Sequence, residues 1–311
     1  MKLIIIATLS ILSASSSSAQ MGVPPLELSD PGATGRRVTD DGLTANFYPA
    51  SEPGRHPAIL LVGGSEGGLG AGATRIARAL QAAGFTVLHM SFFRAPGQGD
   101  ALARVPLERF STGLAWLSRQ PSVDPRRIGL VGGSKGAEAA LLVASRTRSV
   151  RAVVAGMPSS VVWPGFSWTG PAEGSSWTFG GKDIPAMPYG QFTPPDIGSV
   201  YVNGLAKAGE HSDAVIAIDQ SKAKVLLICG DGDTLWPSCP MAKQLKTRAP
   251  QRVTILEYPD AGHAVFGPPV EPADKSDTRL AALGGTVSGN AAARTDSWPK
   301  VIAFLKSQLG R

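Results

Sequence analysis

The segment from Ile128 to Ser145 constrains the fold of this chain more than any other stretch, and it reads IGLVGGSKGAEAALLVAS. A short apolar run is followed at once by Gly132-Gly133-Ser134-Lys135-Gly136 and then by small residues with helical character. The pattern predicts a strand, a sharp turn and a helix, with Ser134 at the apex. Glycine is expected at 132 and 136, because a side chain there would collide with the neighbouring strand and helix.

The G-x-S-x-G pattern is weak evidence when it stands alone, because glycine accounts for 37 of the 311 residues. A second match, Gly63-Gly64-Ser65-Glu66-Gly67, also follows an apolar run. Only the position of each match relative to the other elements can separate them.

Apolar runs typical of buried parallel strands alternate along the chain with amphipathic stretches. Strands are predicted at Ala58–Val62, Thr86–Phe93, Ile128–Val131, Arg151–Met157, Lys224–Cys229 and Val253–Tyr258. Besides the helix after Ser134, helices are predicted at Thr74–Ala83, Pro106–Arg119, Met241–Arg248 and Ser297–Leu309. A hairpin through Arg36–Val38 and Leu43–Tyr48 comes first. This alternation predicts an α/β fold with a doubly wound, mostly parallel sheet.

Residues 158–222 interrupt the alternation with a stretch dense in Pro, Gly, Ser and Trp. The stretch is too long for a simple connection in a compact domain. We therefore expect an inserted cap over the site, and residues 158–222 are called the cap segment below.

The first twenty residues have the features of a secretory leader. Lys2 precedes an apolar run, Leu3–Ala14, and Ser17-Ser18-Ala19 forms a small-residue cleavage site. We predict a signal peptide at 1–19 and a single domain at 20–311, with an uncleaved anchor as the alternative. The protein is then expected in the periplasm or outside the cell, without a permanent membrane span. Such a compartment permits a disulfide between Cys229 and Cys239, and separate thiols are the alternative.

Composition excludes several other classes of protein. A hydrophobic fraction of 43% and a charged fraction of 17% are those of a globular chain. The net charge is +6, but the basic residues are scattered and only 6% of residues are aromatic, so we expect no nucleic-acid partner. The two cysteines fit no metal-binding spacing, and we expect no metal. The oligomeric state stays open.

Doubly wound sheets bind ligands beyond the carboxyl ends of their strands. Three residues of suitable chemistry follow such ends, namely Ser134, Asp233 and His263. Their order is that of the catalytic triad in the α/β-hydrolase fold. Histidine would take the proton of the serine hydroxyl, and aspartate would orient the imidazole.

The chain offers few alternatives to this triad. His89 lies within a predicted strand, His56 precedes a strand at the opposite edge, and His211 lies in the cap segment, where it could contact substrate. Asp231 is the alternative acid, but Asp233 is preferred because it lies deeper in the turn after the strand.

The second glycine-rich match follows an earlier strand, where the hydrolase fold places its oxyanion-hole loop. We therefore predict that the backbone N–H groups of Ser65 and Lys135 form the oxyanion hole. A turn that only packs the following helix, or Ser65 as the nucleophile, are the alternatives.

Four stretches resemble the C-terminal domain of the acyl-CoA thioester hydrolase / bile acid-CoA:amino acid N-acyltransferase family, with the dienelactone hydrolases as a wider relation. They are GSKGAE at 133–138, PSSVVW at 158–163, GDGDTLWPS at 230–238 and LGGTVSGNAAARTDSW at 283–298. The resemblance implies an α/β-hydrolase fold, acyl transfer through a covalent acyl-enzyme, and Ser134, Asp233 and His263 as the triad. Eukaryotic members resembling this chain carry an additional N-terminal β-sandwich domain, which we do not expect in the residues before the first core strand.

Together these features predict a secreted serine hydrolase that cleaves a small-molecule carboxylic ester or acyl thioester without a metal or organic cofactor. Four aromatic side chains of the cap segment are candidates to line an apolar acyl pocket, with packing inside the cap as the alternative: Trp163, Phe166, Trp168 and Trp177. The rival predictions are an acyltransferase with an amine or alcohol acceptor, a peptidase, and an inactive binding protein on the same fold.

Overall fold

The structure is a computed structural model that describes residues 23–270 and 283–310. Eleven strands are present in this part of the chain: β1 Arg36–Val38, β2 Ala45–Tyr48, β3 His56–Val62, β4 Thr86–Met90, β5 Val105–Pro106, β6 Val123–Gly133, β7 Val150–Gly156, β8 Trp177–Phe179, β9 Lys182–Asp183, β10 Lys224–Gly230 and β11 Val253–Tyr258. The proposed leader at residues 1–19 lies outside the described residues.

Eight of the strands form one sheet in the order β1-β2-β4-β3-β6-β7-β10-β11. Six neighbouring strands, from β4 to β11 in this order, run parallel, whereas β1 and β2 form an antiparallel hairpin that pairs with β4. The predicted doubly wound, mostly parallel sheet and its leading hairpin are confirmed. The carboxyl ends of the parallel strands consequently meet at one edge of the sheet.

Helices cover both faces of this sheet. Their bounds are α1 Ala71–Ala82, α2 Glu108–Ser118, α3 Lys135–Arg146, α5 Ser238–Arg248 and α6 Val287–Leu309, and a further helix, α4 Ser199–Leu205, lies in the cap segment. Apolar residues of α2, α3 and α5 belong to one hydrophobic cluster, and those of α1 and α6 belong to another. The two clusters form the core on either side of the sheet.

The last helix begins ten residues before the start predicted from the sequence. Helix α6 starts at Val287 because Thr286 caps it, with its Oγ1 accepting the N–H of Gly289 at 2.8 Å. The predicted start at Ser297 was therefore wrong. The additional first turns of α6 lie beside the candidate site.

The cap segment connects β7 to β10 and contains β8, β9, α4 and two 3-10 turns. Strands β8 and β9 form a small sheet with β5, and several cap residues form a third apolar cluster with Trp236 and Met241 of the main domain. The apolar cluster of the cap segment is thus continuous with the main domain. Among the residues described, no helix is long and apolar enough to cross a membrane.

Candidate active site

Ser134 occupies the turn between β6 and α3 with backbone angles of φ 55° and ψ −123°. Its N–H donates to the carbonyl oxygen of Gly156 at 2.9 Å. A Cβ atom at Gly132 would overlap the carbonyl oxygen of Gly136, and one at Gly136 would overlap the carbonyl oxygen of Gly63. Both flanking glycines are therefore required by the close approach of backbone atoms, as the sequence predicted.

The structure brings Ser134, His263 and Asp233 together in one hydrogen-bonded chain. His263 Nε2 lies 2.9 Å from Ser134 Oγ, and His263 Nδ1 lies 2.9 Å from Asp233 Oδ2. The side chains of His263 and Asp233 are buried, with exposures of 7% and 1%. Asp233 Oδ1 also accepts the backbone N–H groups of Leu235 and Trp236 at 3.0 and 3.2 Å. The carboxylate is therefore fixed in the orientation that holds the imidazole.

Asp231, the alternative acid, does not take part in the hydrogen-bonded chain of Ser134, His263 and Asp233. Burial raises the pKa of its carboxyl, as does the neighbouring Glu257, while Lys243 acts in the opposite direction. The donor atoms of Asp231, Glu257 and Cys239 lie close together, but Cys239 is bonded to Cys229 in a disulfide and offers no thiolate. Of the two alternatives that the sequence left open for these cysteines, the structure has the disulfide and not the separate thiols.

The loops that carry the acid and the base are both held by the chain that leads into α6. The N–H of His263 donates to the carbonyl oxygen of Leu283 at 2.7 Å, and Gly284 pairs with Asp233 in an isolated antiparallel bridge. Asn290 is buried and accepts the N–H of Gly262 at 2.9 Å. The sequence did not predict this role of Asn290, although the residue lies in the stretch at 283–298 that carries the family resemblance.

The loop after β3 lies beside Ser134 and offers a free N–H. Glu66 Oε1 accepts the N–H of Gly64 at 2.9 Å, whereas the N–H of Ser65 has no partner among the described residues. Lys135 is the first residue of α3, so its N–H lacks a partner within the helix. The oxyanion hole formed by the N–H groups of Ser65 and Lys135 therefore stays a prediction, to which the loop after β3 and the start of α3 contribute one donor each.

These residues line an open cleft with a volume of about 290 Å³. The lining comes from the loop after β3, the start of α1, Ser134 and His263, together with Met157, Trp168, Leu235, Phe266 and Leu283. Burial raises the pKa of the Glu66 carboxyl, against the opposing effect of the hydrogen bond from Gly64. Most of the residues that line the cleft are apolar residues or glycines, and its polar side chains are those of Ser65, Glu66, Ser134 and His263.

Of the four aromatic residues predicted to line a pocket, only Trp168 does so. Its Nε1–H donates to the carbonyl oxygen of Ser65 at 2.7 Å, and Phe166 packs edge-on against its ring. Trp163 and Trp177 are fully buried, and their indole N–H groups are bound by Ser159 and Glu138. Trp163 and Trp177 instead pack within and beneath the cap segment, so the prediction that they line the pocket is corrected.

A buried ion pair next to Ser134 was not anticipated from the sequence. Lys135 Nζ lies 2.8 Å from Glu138 Oε2, and Glu138 Oε1 accepts the N–H of Trp163 and the Nε1–H of Trp177 at 3.1 and 2.7 Å. Burial lowers the pKa of Lys135, and the charge of Glu138 opposes that shift. The pair ties α3 to the cap segment, so the Lys135 side chain is engaged away from the cleft.

The other three histidines have no contact with Ser134. His89 is buried in β4, where burial and then the charge of Arg37 lower its pKa to about 3. His56 starts β3 and its Nε2 lies 2.7 Å from the carbonyl oxygen of Glu52. His211 precedes a 3-10 turn of the cap segment and does not line the cleft.

Comparison with known proteins gives a coherent set of relatives. A family model described as "BAAT / Acyl-CoA thioester hydrolase C terminal" matches residues 105–311. The chain is 26% identical to acyl-coenzyme A thioesterase 2, mitochondrial, of Mus musculus, over 90% of the chain and 61% of that protein. It is 27% identical to bile acid-CoA:amino acid N-acyltransferase of the same species, over 85% of the chain and 63% of that protein. The chain therefore spans under two thirds of the length of these relatives.

Solved structures share the fold at lower identity. A protein described as a dienelactone hydrolase from Klebsiella pneumoniae superposes with a TM-score of 0.56 and 18% identity, covering 87% of this chain and 96% of that one. An esterase from Pyrobaculum calidifontis superposes with a TM-score of 0.51 and 18% identity, covering 88% and 84%. The architecture is thus that of the α/β hydrolases.

Proposed function

Because the chain belongs to the family of BAAT and acyl-CoA thioester hydrolase C-terminal domains, we propose that it hydrolyses an acyl ester or acyl thioester through an acyl-enzyme on Ser134. The observation that carries this proposal is the hydrogen-bonded chain from Asp233 through His263 to Ser134, at the carboxyl ends of three parallel strands. The names of the relatives, which include thioesterases, agree with this chemistry.

In the first half of the reaction, His263 Nε2 accepts the proton of the Ser134 hydroxyl as Oγ attacks the acyl carbonyl carbon. The carbonyl electron pair moves onto its oxygen, which the N–H groups of Ser65 and Lys135 stabilise. Collapse of this intermediate breaks the bond to the alcohol or thiol, which leaves with the proton held on His263. Asp233 keeps the imidazole in the required tautomer and stabilises its cationic form.

In the second half, water enters the vacated side of the cleft and gives a proton to His263 as it attacks the acyl-enzyme carbonyl. The second tetrahedral intermediate expels Ser134 Oγ, which regains its proton from His263, and the carboxylic acid departs. An amine or alcohol acceptor in place of water would give acyl transfer by the same steps.

Export from the cytoplasm is a further part of the proposal. The buried disulfide between Cys229 and Cys239 supports it, because disulfides persist in oxidising compartments and are rare elsewhere.

The test is steady-state hydrolysis by the full chain and its Ser134→Ala variant. The substrates are p-nitrophenyl esters of increasing chain length and matched acyl-CoA thioesters. Turnover that is lost in Ser134→Ala supports the proposal, and the preferred substrate identifies the leaving group. Addition of an amino acid acceptor, with product analysis, separates transfer from hydrolysis. Turnover that survives in Ser134→Ala, or none with a folded wild-type protein, overturns it.

A further inference from the structure

One acidic side chain of the cleft takes no part in the chemistry described above. Glu66 lies in the loop after β3 and lines the same cleft as Ser134 and His263. Its side chain is half-buried, and its Oε1 accepts the N–H of Gly64 at 2.9 Å. This hydrogen bond folds the carboxylate back over its own loop and fixes its position in the cleft.

The carboxylate of Glu66 and the side chain of Ser134 lie on two sides of one small gap. A Cβ atom built on Gly64 would lie 2.8 Å from Glu66 Oε2 and 3.5 Å from Ser134 Cβ. The two side chains therefore face the same point of the loop, and the missing side chain of Gly64 leaves that point open. A substrate whose carbonyl group is held at Ser134 has its neighbouring atoms within reach of the Glu66 carboxylate.

No cation within the described residues pairs with this carboxylate. Glu66 forms no ion pair there, and the guanidinium of Arg94 donates instead to the backbone carbonyl oxygens of Glu66 and Pro24 at 2.6 and 2.9 Å. No side chain donates to the carboxylate in this part of the chain, and its hydrogen bonds come from the backbone N–H groups of Gly64 and of Glu66 itself. Since a carboxylate accepts about four hydrogen bonds, acceptor capacity remains for a ligand.

The surroundings of Glu66 make its negative charge costly in the empty cleft. Burial raises the pKa of the carboxyl, and the charge of Glu27 acts in the same direction, whereas the backbone hydrogen bonds and the charge of Arg94 oppose the shift. A ligand that donates a hydrogen bond to the carboxylate removes part of this cost, and an apolar group does not.

We propose that Glu66 determines substrate specificity by accepting a hydrogen bond from a hydroxyl or ammonium group that the acyl part of the substrate carries close to its reacting carbonyl. The inference rests on the proposed function, which places that carbonyl at Ser134. Hydroxyl and ammonium groups share one chemistry at a carboxylate, and the test separates them. Anionic acyl groups are disfavoured in this position, because two negative charges would then meet in a partly desolvated cleft.

The first test uses phenyl esters whose acyl groups have the same number of non-hydrogen atoms. The butanoate, 3-hydroxypropanoate and 3-aminopropanoate differ only in a terminal methyl, hydroxyl or ammonium group. The propanoate, hydroxyacetate and aminoacetate place that group one carbon closer to the carbonyl. We expect kcat/KM, corrected for spontaneous hydrolysis, to be at least about tenfold higher for a donor-bearing ester than for its methyl counterpart. The donor with the larger advantage identifies the substrate class.

Glu66→Gln is the decisive variant. Its amide oxygen keeps the bond from Gly64, while its NH₂ group puts a donor in place of the acceptor Oε2. The preference for the donor-bearing ester should therefore disappear. Glu27→Gln is the matched control, because Glu27 accepts the N–H of Ala71 and does not line the cleft. This control should keep the wild-type ratio of kcat/KM values. A wild type without the preference, a preference that survives in Glu66→Gln, or equal losses for every ester overturns the proposal.

A binding experiment separates this proposal from the proposed function. The full-length Ser134→Ala and Ser134→Ala/Glu66→Gln proteins are titrated with the amides that match the esters, and binding is followed by NMR. We expect a donor-bearing amide to bind Ser134→Ala about tenfold more tightly than its methyl counterpart, and the added Glu66→Gln to abolish the difference. Equal Kd values, or no binding, would contradict the role of Glu66 even where esters are hydrolysed. Absence of Ser134-dependent turnover would refute the proposed function, and the Kd values would still decide the role of Glu66.

Discussion

The indole Nε1–H of Trp168 donates a hydrogen bond of 2.7 Å to the carbonyl oxygen of Ser65. This bond joins the cap segment to the loop after β3, and it fixes the residue whose N–H is proposed as an oxyanion donor. The cap segment therefore contributes to the position of the reaction centre as well as to the wall of the cleft.

Trp168→Phe keeps most of the ring and removes the donor. We expect kcat for ester hydrolysis to fall about three- to tenfold, because one neutral hydrogen bond contributes about 0.5–1.5 kcal/mol. The KM should change less, since the apolar wall remains. The matched control is Trp116→Phe, whose indole N–H bonds to Asp40 far from the cleft. Equal effects in the two variants would contradict a specific role for the bond to Ser65.

Gly136→Ala tests the packing beneath Ser134. A methyl group there overlaps the carbonyl oxygen of Gly63, and backbone atoms of the central sheet cannot move cheaply. We expect a loss of about 3 kcal/mol or more in the free energy of unfolding, measured by urea denaturation. Gly133→Ala is the matched control, because its methyl group meets only Met157 and Phe266 at 3.4 and 3.5 Å. The control should lose under about 1 kcal/mol, and the reverse ranking would refute the packing explanation.

The disulfide between Cys229 and Cys239 closes a short loop with a sequence separation of 10 that contains Asp233. Loop-closure entropy predicts that it stabilises the folded state by about 3 kcal/mol. Strong reductant should therefore lower the wild-type free energy of unfolding by this amount and leave Cys229→Ala/Cys239→Ala unaffected. The double variant should also show a lower kcat, because the loop that carries Asp233 is less constrained. Wild-type stability that is insensitive to reduction would contradict the prediction.

The buried side chain of His89 should make the free energy of unfolding depend on pH. Its pKa falls from 6.5 to about 3 on folding, so below pH 6.5 the unfolded chain binds a proton that the folded protein does not. The contribution of His89 is complete above pH 6.5 and is lost as the pH falls toward 3. Between pH 7 and pH 5 the loss is about 2 kcal/mol.

The measurement is urea denaturation at both pH values for the wild type, His89→Gln and His89→Asn. Both variants should show a weaker loss of stability on acidification, whatever their stability at pH 7. If the two variants keep the full wild-type loss, His89 is not the group responsible.

Sequence alone was sufficient for the framework of the site and insufficient for its surroundings. The apolar runs located β3, β6, β10 and β11, and the rule that ligands bind at carboxyl ends then selected Ser134, Asp233 and His263, which the structure brings together. The glycines at 132 and 136 were also explained by local geometry.

Contacts between distant segments could not be read in this way. Glu138 and Trp177 are 39 residues apart, and only the folded cap segment brings the indole to the carboxylate. Asn290 and Gly262 are 28 residues apart, and their bond requires the early start of α6. The aromatic cluster of the cap segment therefore suggested a pocket where Trp163 and Trp177 in fact form a core.

The most direct test of the account is covalent labelling of the nucleophile. The wild-type protein and Ser134→Ala are treated with an alkyl fluorophosphonate and analysed by intact mass and peptide mapping. We predict one adduct per wild-type chain, located on Ser134, and none on Ser134→Ala. His263→Ala should react far more slowly, because the hydroxyl has lost its base. An adduct on Ser65, or a folded wild-type protein that remains unlabelled, would contradict the assignment of Ser134 as the acyl-carrying nucleophile.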